Sequence, residues 1–293
     1  MIRVHVPVTS ANIGVGYDCL GLALDYFGVF TFSFDKEGLV ITGCPQAYQN
    51  KDNLVIQAFY SALDEWKIPY PLGIALDIQN ASPMSRGLGS SASCIVAGVL
   101  GAAAFSKRSF TKQELLRVCL HLEHHPDNLA PALYGNLCSS FLENEQPYVS
   151  LYQVHEKFAF VTVIPDYEVQ TAAARAILPD QMSYGDAVYQ MGRCVALCRA
   201  LETGDHELLS HACQDRMQEP YRKTLIKDYE DVRKIALDQG AQAFFISGSG
   251  STMIAIIDQQ KSEQLRSLFQ KRYPSWMILN LQAAQKGGYV EYE

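Results

Sequence analysis

The chain has 293 residues, with 31 acidic and 24 basic side chains and a formal net charge of −7. Its 48% apolar and 19% charged residues are those of a globular protein of one large or two moderate domains. The sequence has no clustered basic stretch for nucleic acid, no apolar run near the roughly 18 residues of a membrane span, and no signal-peptide core at its start. Eight cysteines, widely spread and without a CxxC pair, read as free thiols in a reducing cytoplasm.

Residues 2–8 (IRVHVPV) alternate as a strand, and 28–34 (GVFTFSF) read as another. Residues 53–66 have apolar spacing near 3.6 with Asn53 as N-cap, which predicts a helix. LGIALDIQN (72–80) alternates again as a strand. IVAGVLGAAAF (95–105) is small and apolar all round, which predicts a helix buried on every side. A helix from Thr111 to about Glu123 opens on a capping box, Thr111 with Glu114. The polar stretch near 143–157 divides the chain into 1–150 and 151–293. FAFVTVIP (158–165) is a buried strand and 183–239 is mostly helical. Residues 242–281 read strand, turn, strand, helix, strand. Irregular interleaving of strands and helices in both halves gives an α+β class.

Between the strand at 72–80 and the buried helix lies Pro83-Met84-Ser85-Arg86-Gly87-Leu88-Gly89-Ser90-Ser91-Ala92-Ser93. Glycines let backbone N–H groups converge, and a helix N-terminus adds unpaired donors and a positive dipole end, so the stretch suits an anion. Serine hydroxyls donate to phosphate oxygens or ligate Mg²⁺. It is neither a Walker A loop nor GxGxxG. The bland alternative is a glycine turn capped by Ser90. Three further stretches place polar residues beside glycines or carboxylates: PVTSANIGVGYD (7–18), LEHHPDNLAPALYG (122–135) and SGSGST (247–252). His121 and His125 flank Glu123, which raises a zinc hydrolase as a competing class. The spacing matches neither HExxH nor HxxEH, no third ligand is evident, and Pro126 ends the helix.

The pattern Pro-x-x-x-Gly-Leu-Gly-Ser-Ser-Ala at 83–92 resembles the phosphate loop of the GHMP small-molecule kinases. With PVTSANIGVGYD, HPDNLAPALYG (125–135) and SGSGST it is similar to the homoserine kinase family, in order along most of the chain. Two positions depart from the pattern: His124 stands where a glycine is usual, and Ser251 replaces the usual proline. Neither change removes a charged or ligating group.

The resemblance implies two domains, one like ribosomal protein S5 domain 2 and one ferredoxin-like, with ATP and substrate between them, Mg²⁺ as metal, and a homodimer. It implies transfer of phosphate from ATP to the hydroxyl of L-homoserine, a step of threonine biosynthesis. Mevalonate, a sugar or a diphosphocytidyl-methylerythritol remain alternative acceptors, and a catalytically inactive nucleotide-binding protein a further reading. By the same resemblance, residues 83–93 wrap the ATP phosphates. Asn53 and Val55 border the nucleoside, although helix cap and core residue are equally good accounts of them. Glu123 is the metal carboxylate, with Ser91 or Ser90 facing the metal. Asn12 orients the acceptor hydroxyl, Asp18 takes the ammonium, and His125 and Asn128 line the pocket. Arg175 and Arg222 bind the carboxylate, with Thr171 beside Arg175. No aspartate base stands where related kinases carry one, because Asn128 sits there, so the expected transfer relies on positioning and charge.

Overall fold

The structure is a computed structural model that describes residues 1–35, 37–80 and 84–292. Pro83, expected at the nucleotide, lies outside the described residues. The first half runs β1 (Ile2–Asn12), β2 (Gly16–Ser33), β3 (Gly38–Thr42), α1 (Leu54–Glu65), β4 (Gly73–Gln79), α2 (Ser90–Ser106), α3 (Lys112–Cys119), α4 (Pro126–Tyr134), β5 (Leu137–Glu143) and β6 (Gln146–Tyr152). The second runs β7 (Phe158–Ile164), α5 (Thr171–Ala176), α6 (Tyr184–Thr203), α7 (His206–Ala212), α8 (Glu219–Arg222), α9 (Tyr229–Asp238), β8 (Ala243–Ile246), β9 (Met253–Asp258), α10 (Gln259–Arg272) and β10 (Met277–Leu281). A last strand, β11 (Tyr289–Tyr292), follows. Among the described residues no helix is long and apolar enough to cross a membrane. All eight cysteines are free thiols, four of them buried.

Two sheets organise the molecule. The first has the order β11-β1-β2-β4-β3, with β5 and β6 continuing from the other end of β2. The strand expected at 28–34 is only the last part of β2, which has 18 residues. Its early segment pairs with β5 and its late segment with β4, while β1 runs along its other edge. The register of β1 on β2 shifts between Pro7 and Val8, where the proline has no N–H to give the ladder. The second sheet has the order β10-β7-β9-β8, all antiparallel. Numbered from β7, that is the 4-1-3-2 order of a ferredoxin-like unit, with α6 to α9 and α10 as its crossovers.

Three packed layers of side chains hold the sheets and helices together. Phe30 and Phe32 of the first sheet meet Phe59 of α1 and Ile95 and Val99 of α2. Eleven residues of α2 are buried, as its all-round apolar character predicts. Strand β7 explains its own unbroken apolar run, because successive side chains point to opposite faces. Phe158 and Phe160 pack towards Leu20, Leu22 and Leu24 of β2 and towards Leu197 and Leu201 of α6. Ala159, Val161 and Val163 pack with Val232 of α9 and with Leu265 and Phe269 of α10. The middle layer therefore belongs to both sheets, and it fixes the loops at their shared edge.

The helix expected from Thr111 to Glu123 has the predicted capping box but stops at Cys119. Residues 120–123 turn back on α3, with Glu123 N–H reaching Cys119 O at 3.3 Å. Glu123 is thereby carried off the helix and into the cleft.

Candidate active site

Three loops interlock where the sheets meet: the end of β1 with residues 13–15, residues 84–89, and residues 247–252. Ser247 Oγ donates to Gly87 O at 2.5 Å and lies 2.7 Å from Ser10 Oγ, from which it can accept. Gly248 N–H reaches Ala11 O at 3.2 Å, Thr252 N–H reaches Arg86 O at 3.1 Å, and Thr9 N–H reaches Leu88 O at 3.3 Å. Gly87 has φ +79° and a Cβ on it would lie 2.1 Å from Ser247 O. Gly89 has φ +63° and its Cβ would lie 1.9 Å from Thr9 Oγ1. Both glycines are thus demanded by the neighbouring loops as well as by the left-handed backbone. Gly89 is the N-cap of α2, so the first free N–H groups of a 17-residue helix open at this junction.

Two cavities meet at that helix end. One, of about 440 Å³, is lined by Phe30, Cys44, Pro45, Tyr48, Ile78 and Met84, with Asn53 and Leu54 at the start of α1. The other, of about 200 Å³, is lined by Asn12, Asp18, Glu123, His125, Asp127, Asn128, Thr171, Arg175, Arg222, Gly248 and Ser249. Ser85, Ser90 and Ser91 line both. A wider cavity of about 1100 Å³, lined by Asp25, Phe27, Glu202 and Lys286 among others, contains none of the residues singled out from the sequence.

Within the smaller cavity the charges are paired. Arg175 Nη1 and Nη2 each donate at 3.0 Å to the Asp18 carboxylate, and Nη1 also reaches Tyr17 OH at 3.2 Å. Arg222 is buried; Nε donates to Ala174 O and Nη1 to Gln218 Oε1 and Gly248 O, with Tyr17 ring 5.0 Å away. Burial pulls the Arg222 guanidinium below its ordinary range. Asn12 is buried with φ +72°. Its amide donates to Gln218 Oε1 and Gly248 O, and its Oδ1 accepts from Asp18 N–H at 3.0 Å. Asn12 therefore shapes the turn that aims Asp18. Thr9 Oγ1 donates to Asn128 Oδ1 at 2.8 Å, and Thr171 Oγ1 lies 3.4 Å from Ser249 Oγ.

At the mouth shared by the cavities, Ser91 Oγ donates to Glu123 Oε2 at 2.9 Å. Burial raises the Glu123 carboxyl; the Ser91 hydrogen bond and the nearby His125 and Arg175 partly offset it. Asp127, nearly buried at the second position of α4, is pushed up to about 7 by burial and by the charges of Asp18 and Glu123. A hard oxygen pair such as Ser91 and Glu123, beside a helix end suited to phosphate, fits a Mg²⁺ that takes its remaining ligands from phosphate and water.

The structure places most of the expected residues together, but not all face a cavity. Val55 and Leu88 are buried in the packing. Val55 N–H instead donates to Asn53 Oδ1, and Asn53 Nδ2 ties down Tyr48 O. Arg86 turns towards the second sheet, donating to Pro165 O and Asp166 O and pairing with Glu168. Ser93 lines the apolar cavity. Sequence reasoning did not find Cys44, Pro45 and Tyr48, which lie in a connection without a motif. Their only signal was the Asn53 cap whose amide holds them.

Comparison with known families agrees with this geometry. The model of the GHMP kinases N terminal domain matches residues 53–136 and that of the GHMP kinases C terminal domain matches 197–275. A homoserine kinase of Clostridium botulinum (strain Eklund 17B / Type B) is 37% identical over 295 residues, covering 99% of this chain and 98% of its own. The chain belongs to the homoserine kinase family of GHMP kinases. Another family member, from Clostridium beijerinckii, is 36% identical with the same coverage. The crystal structure of the Cytophaga hutchinsonii homoserine kinase superposes with a TM-score of 0.87 at 30% identity, covering 99% of this chain and 97% of that one. A crystal structure of mevalonate kinase, at 14% identity and a TM-score of 0.73, shares the fold. The two-domain α+β architecture expected from the sequence is that of the family, and the zinc hydrolase reading falls away with it.

Proposed function

We propose that the chain transfers the γ-phosphoryl group of ATP to the hydroxyl of L-homoserine, giving O-phospho-L-homoserine and ADP, a step of threonine biosynthesis. The observation that carries the reading is the pair of cavities sharing the N-terminus of α2 through Ser85, Ser90 and Ser91. The apolar cavity suits the adenine and ribose. The triphosphate lies over the helix end, where backbone N–H groups and serine hydroxyls meet its oxygens. The smaller cavity holds both signs of charge, as a zwitterionic amino acid requires. Asp18 takes the substrate ammonium, and Arg175 and Arg222 take its carboxylate, so the bound zwitterion replaces the partner each holds in the Asp18–Arg175 pair. His125, Asn128 and Thr171 wall the pocket, and Asn12 holds the turn beneath it.

In the transfer, the homoserine oxygen bonds to the γ-phosphorus, the bond from that phosphorus to the β–γ bridging oxygen breaks with its electron pair left on ADP, and the hydroxyl proton passes to water. Bound between Glu123, Ser91 and the phosphates, Mg²⁺ would neutralise charge on the phosphate oxygens. This chain's residues align the acceptor in line and supply positive potential, the main requirements of a loose phosphoryl-transfer transition state. The reading includes a pairing of two copies of the chain.

The test is a coupled ADP-release assay with homoserine, mevalonate and galactose side by side. Turnover with homoserine alone is the expected result. Turnover with another alcohol and none with homoserine would overturn the substrate and leave the kinase class standing.

A further inference from the structure

Tyr17 touches both arginines of the smaller cavity. Arg175 Nη1 donates to its hydroxyl at 3.2 Å. The Arg222 guanidinium stands over its ring, 5.0 Å from the centre, and that of Arg175 is 5.9 Å away. Both distances fall within the roughly 6 Å reach of a cation–π attraction. Tyr17 directly precedes Asp18 in β2, and successive side chains of a regular strand point to opposite faces. Asp18 has φ +55°, with its N–H bonded to Asn12 Oδ1. This left-handed residue breaks the alternation, so Tyr17 and Asp18 both reach Arg175.

Two guanidiniums in one pocket repel, and burial together with the charge of Arg175 disfavours the charged form of Arg222. Arg222 gives its N–H groups to three neutral oxygens, those of Ala174, Gln218 and Gly248. Among the described residues the Arg175 guanidinium hydrogen-bonds only Asp18 and Tyr17. When the ammonium of a bound zwitterion takes Asp18, that ion pair opens. Arg175, with a side chain 39% exposed, then keeps one protein partner, the Tyr17 hydroxyl. A phenol suits this place. Its oxygen accepts from one guanidinium and its ring attracts another, yet it brings no carboxylate to compete with Asp18 for the ammonium. A long side chain left unheld would have to be ordered at the moment of binding, at a cost in affinity.

We propose that Tyr17 is a positioning residue for the carboxylate of the amino acid, holding Arg175 and Arg222 in register once the ammonium has drawn Asp18 away. The inference rests on the proposed function, since it takes the smaller cavity as the homoserine site. Tyr17 does not line that cavity, so it acts through the two arginines and takes no part in the transfer itself.

The test is steady-state ADP release by the full chain, with homoserine and ATP varied in turn. Tyr17→Phe keeps the ring and removes the hydroxyl. Its KM for homoserine is expected to rise about threefold to tenfold, with kcat and the KM for ATP within about twofold of wild type. Tyr17→Leu removes the ring as well and raises the KM for homoserine about a further threefold. Added to Arg175→Ala, Tyr17→Phe is expected to change kcat/KM by less than about twofold, because its partner is already gone. A Tyr17→Phe variant whose KM for homoserine matches wild type overturns the proposal. So does a loss that falls on kcat or on ATP, as a merely structural role would give, or an effect that multiplies in full with Arg175→Ala. A wild type without homoserine turnover fails the proposed function before any variant is read, and the role of Tyr17 falls with it.

Discussion

Arg175 and Asp18 join the two domains through a two-pronged ion pair, both contacts at 3.0 Å, inside the cavity assigned to the amino acid. Under the proposed function each partner also receives one charge of the substrate. Asp18→Asn removes the counter-charge for the ammonium and leaves the phosphate loop alone. A hydrogen bond to a charged group contributes about 1.5–3 kcal/mol, so kcat/KM for homoserine is expected to fall about tenfold to a hundredfold. Steady-state kinetics with each substrate varied in turn checks this, and an unchanged KM for ATP is part of the expected result.

Glu123 and Ser91 should act as one unit. Under the proposed function Glu123→Gln loses the negative charge that would face Mg²⁺, and kcat is expected to drop by about two to three powers of ten. Ser91→Ala, which leaves the carboxylate in place, costs less and shifts the Mg²⁺ activation curve to higher concentration. Ser90→Ala has the smaller effect of the two serines, because the hydroxyl bonded to Glu123 is that of Ser91. Activity measured against Mg²⁺ concentration for the three variants separates these outcomes.

Most helices and seven strands of the fold were legible because their apolar spacing is regular. Four strands were not, Leu137–Glu143 among them. Gly38–Thr42 carries Leu39, Val40 and Ile41 but has only five residues, four of them exposed, and Tyr289–Tyr292 has only four, so neither shows an alternating pattern long enough to read. Gln146–Tyr152 was hidden by the polar ENEQP stretch, which is a tight hairpin between β5 and β6. Asn144 and Glu145 both have positive φ, at 50° and 62°, and Glu143 pairs with Gln146. A two-residue turn of this hand usually announces itself as Asn-Gly, and glutamate masks it. In the site, the glycine-serine loop and the charged residues were legible as chemistry. The interlocking of Ser247 with Gly87 was not, because the two residues are 160 positions apart.

That interlock makes Gly87→Ala a sharp probe. The substitution strains a left-handed backbone by about 1–2 kcal/mol and drives a methyl group onto Ser247 O. The loop must shift away from the second domain, so both thermal stability and ATP affinity are expected to fall. A lowered melting temperature together with a raised KM for ATP is the expected pairing. A variant that melts like wild type would show that the loops give way easily.

Glu219 gives the protein a pH signature unrelated to catalysis. Its buried carboxylate accepts from Ile246 N–H, and burial pushes it up to about 8. In the unfolded chain it titrates near the ordinary value of 4.5. Between those values the folded state binds the extra proton, so stability falls as pH rises from about 4.5 to 8. Asp127, raised to about 7, acts in the same direction. Glu219→Gln keeps an acceptor for Ile246 and cannot ionise. Its stability is expected to be flatter across that window in denaturant titrations at several pH values, with a gain over wild type at pH 8 on the order of a few kcal/mol.

Asp127 decides whether the transfer needs a base. Its carboxyl accepts from the N–H of Asn128 at 2.9 Å and lines the cavity beside Asp18 and Glu123. At about 7 it is partly protonated near neutral pH. A carboxylate that had to take the hydroxyl proton would impose a falling limb on kcat below pH 7, and its loss would be as severe as that of Glu123. Transfer through a loose transition state makes the lesser demand, since the proton leaves late and alignment carries the rate. Asp127→Asn, which resembles the protonated carboxyl and keeps the acceptor for Asn128 N–H, is therefore expected to retain kcat within about tenfold. Single-turnover rates from pH 5.5 to 9 read the difference directly: a variant as dead as Glu123→Gln would make Asp127 the proton acceptor.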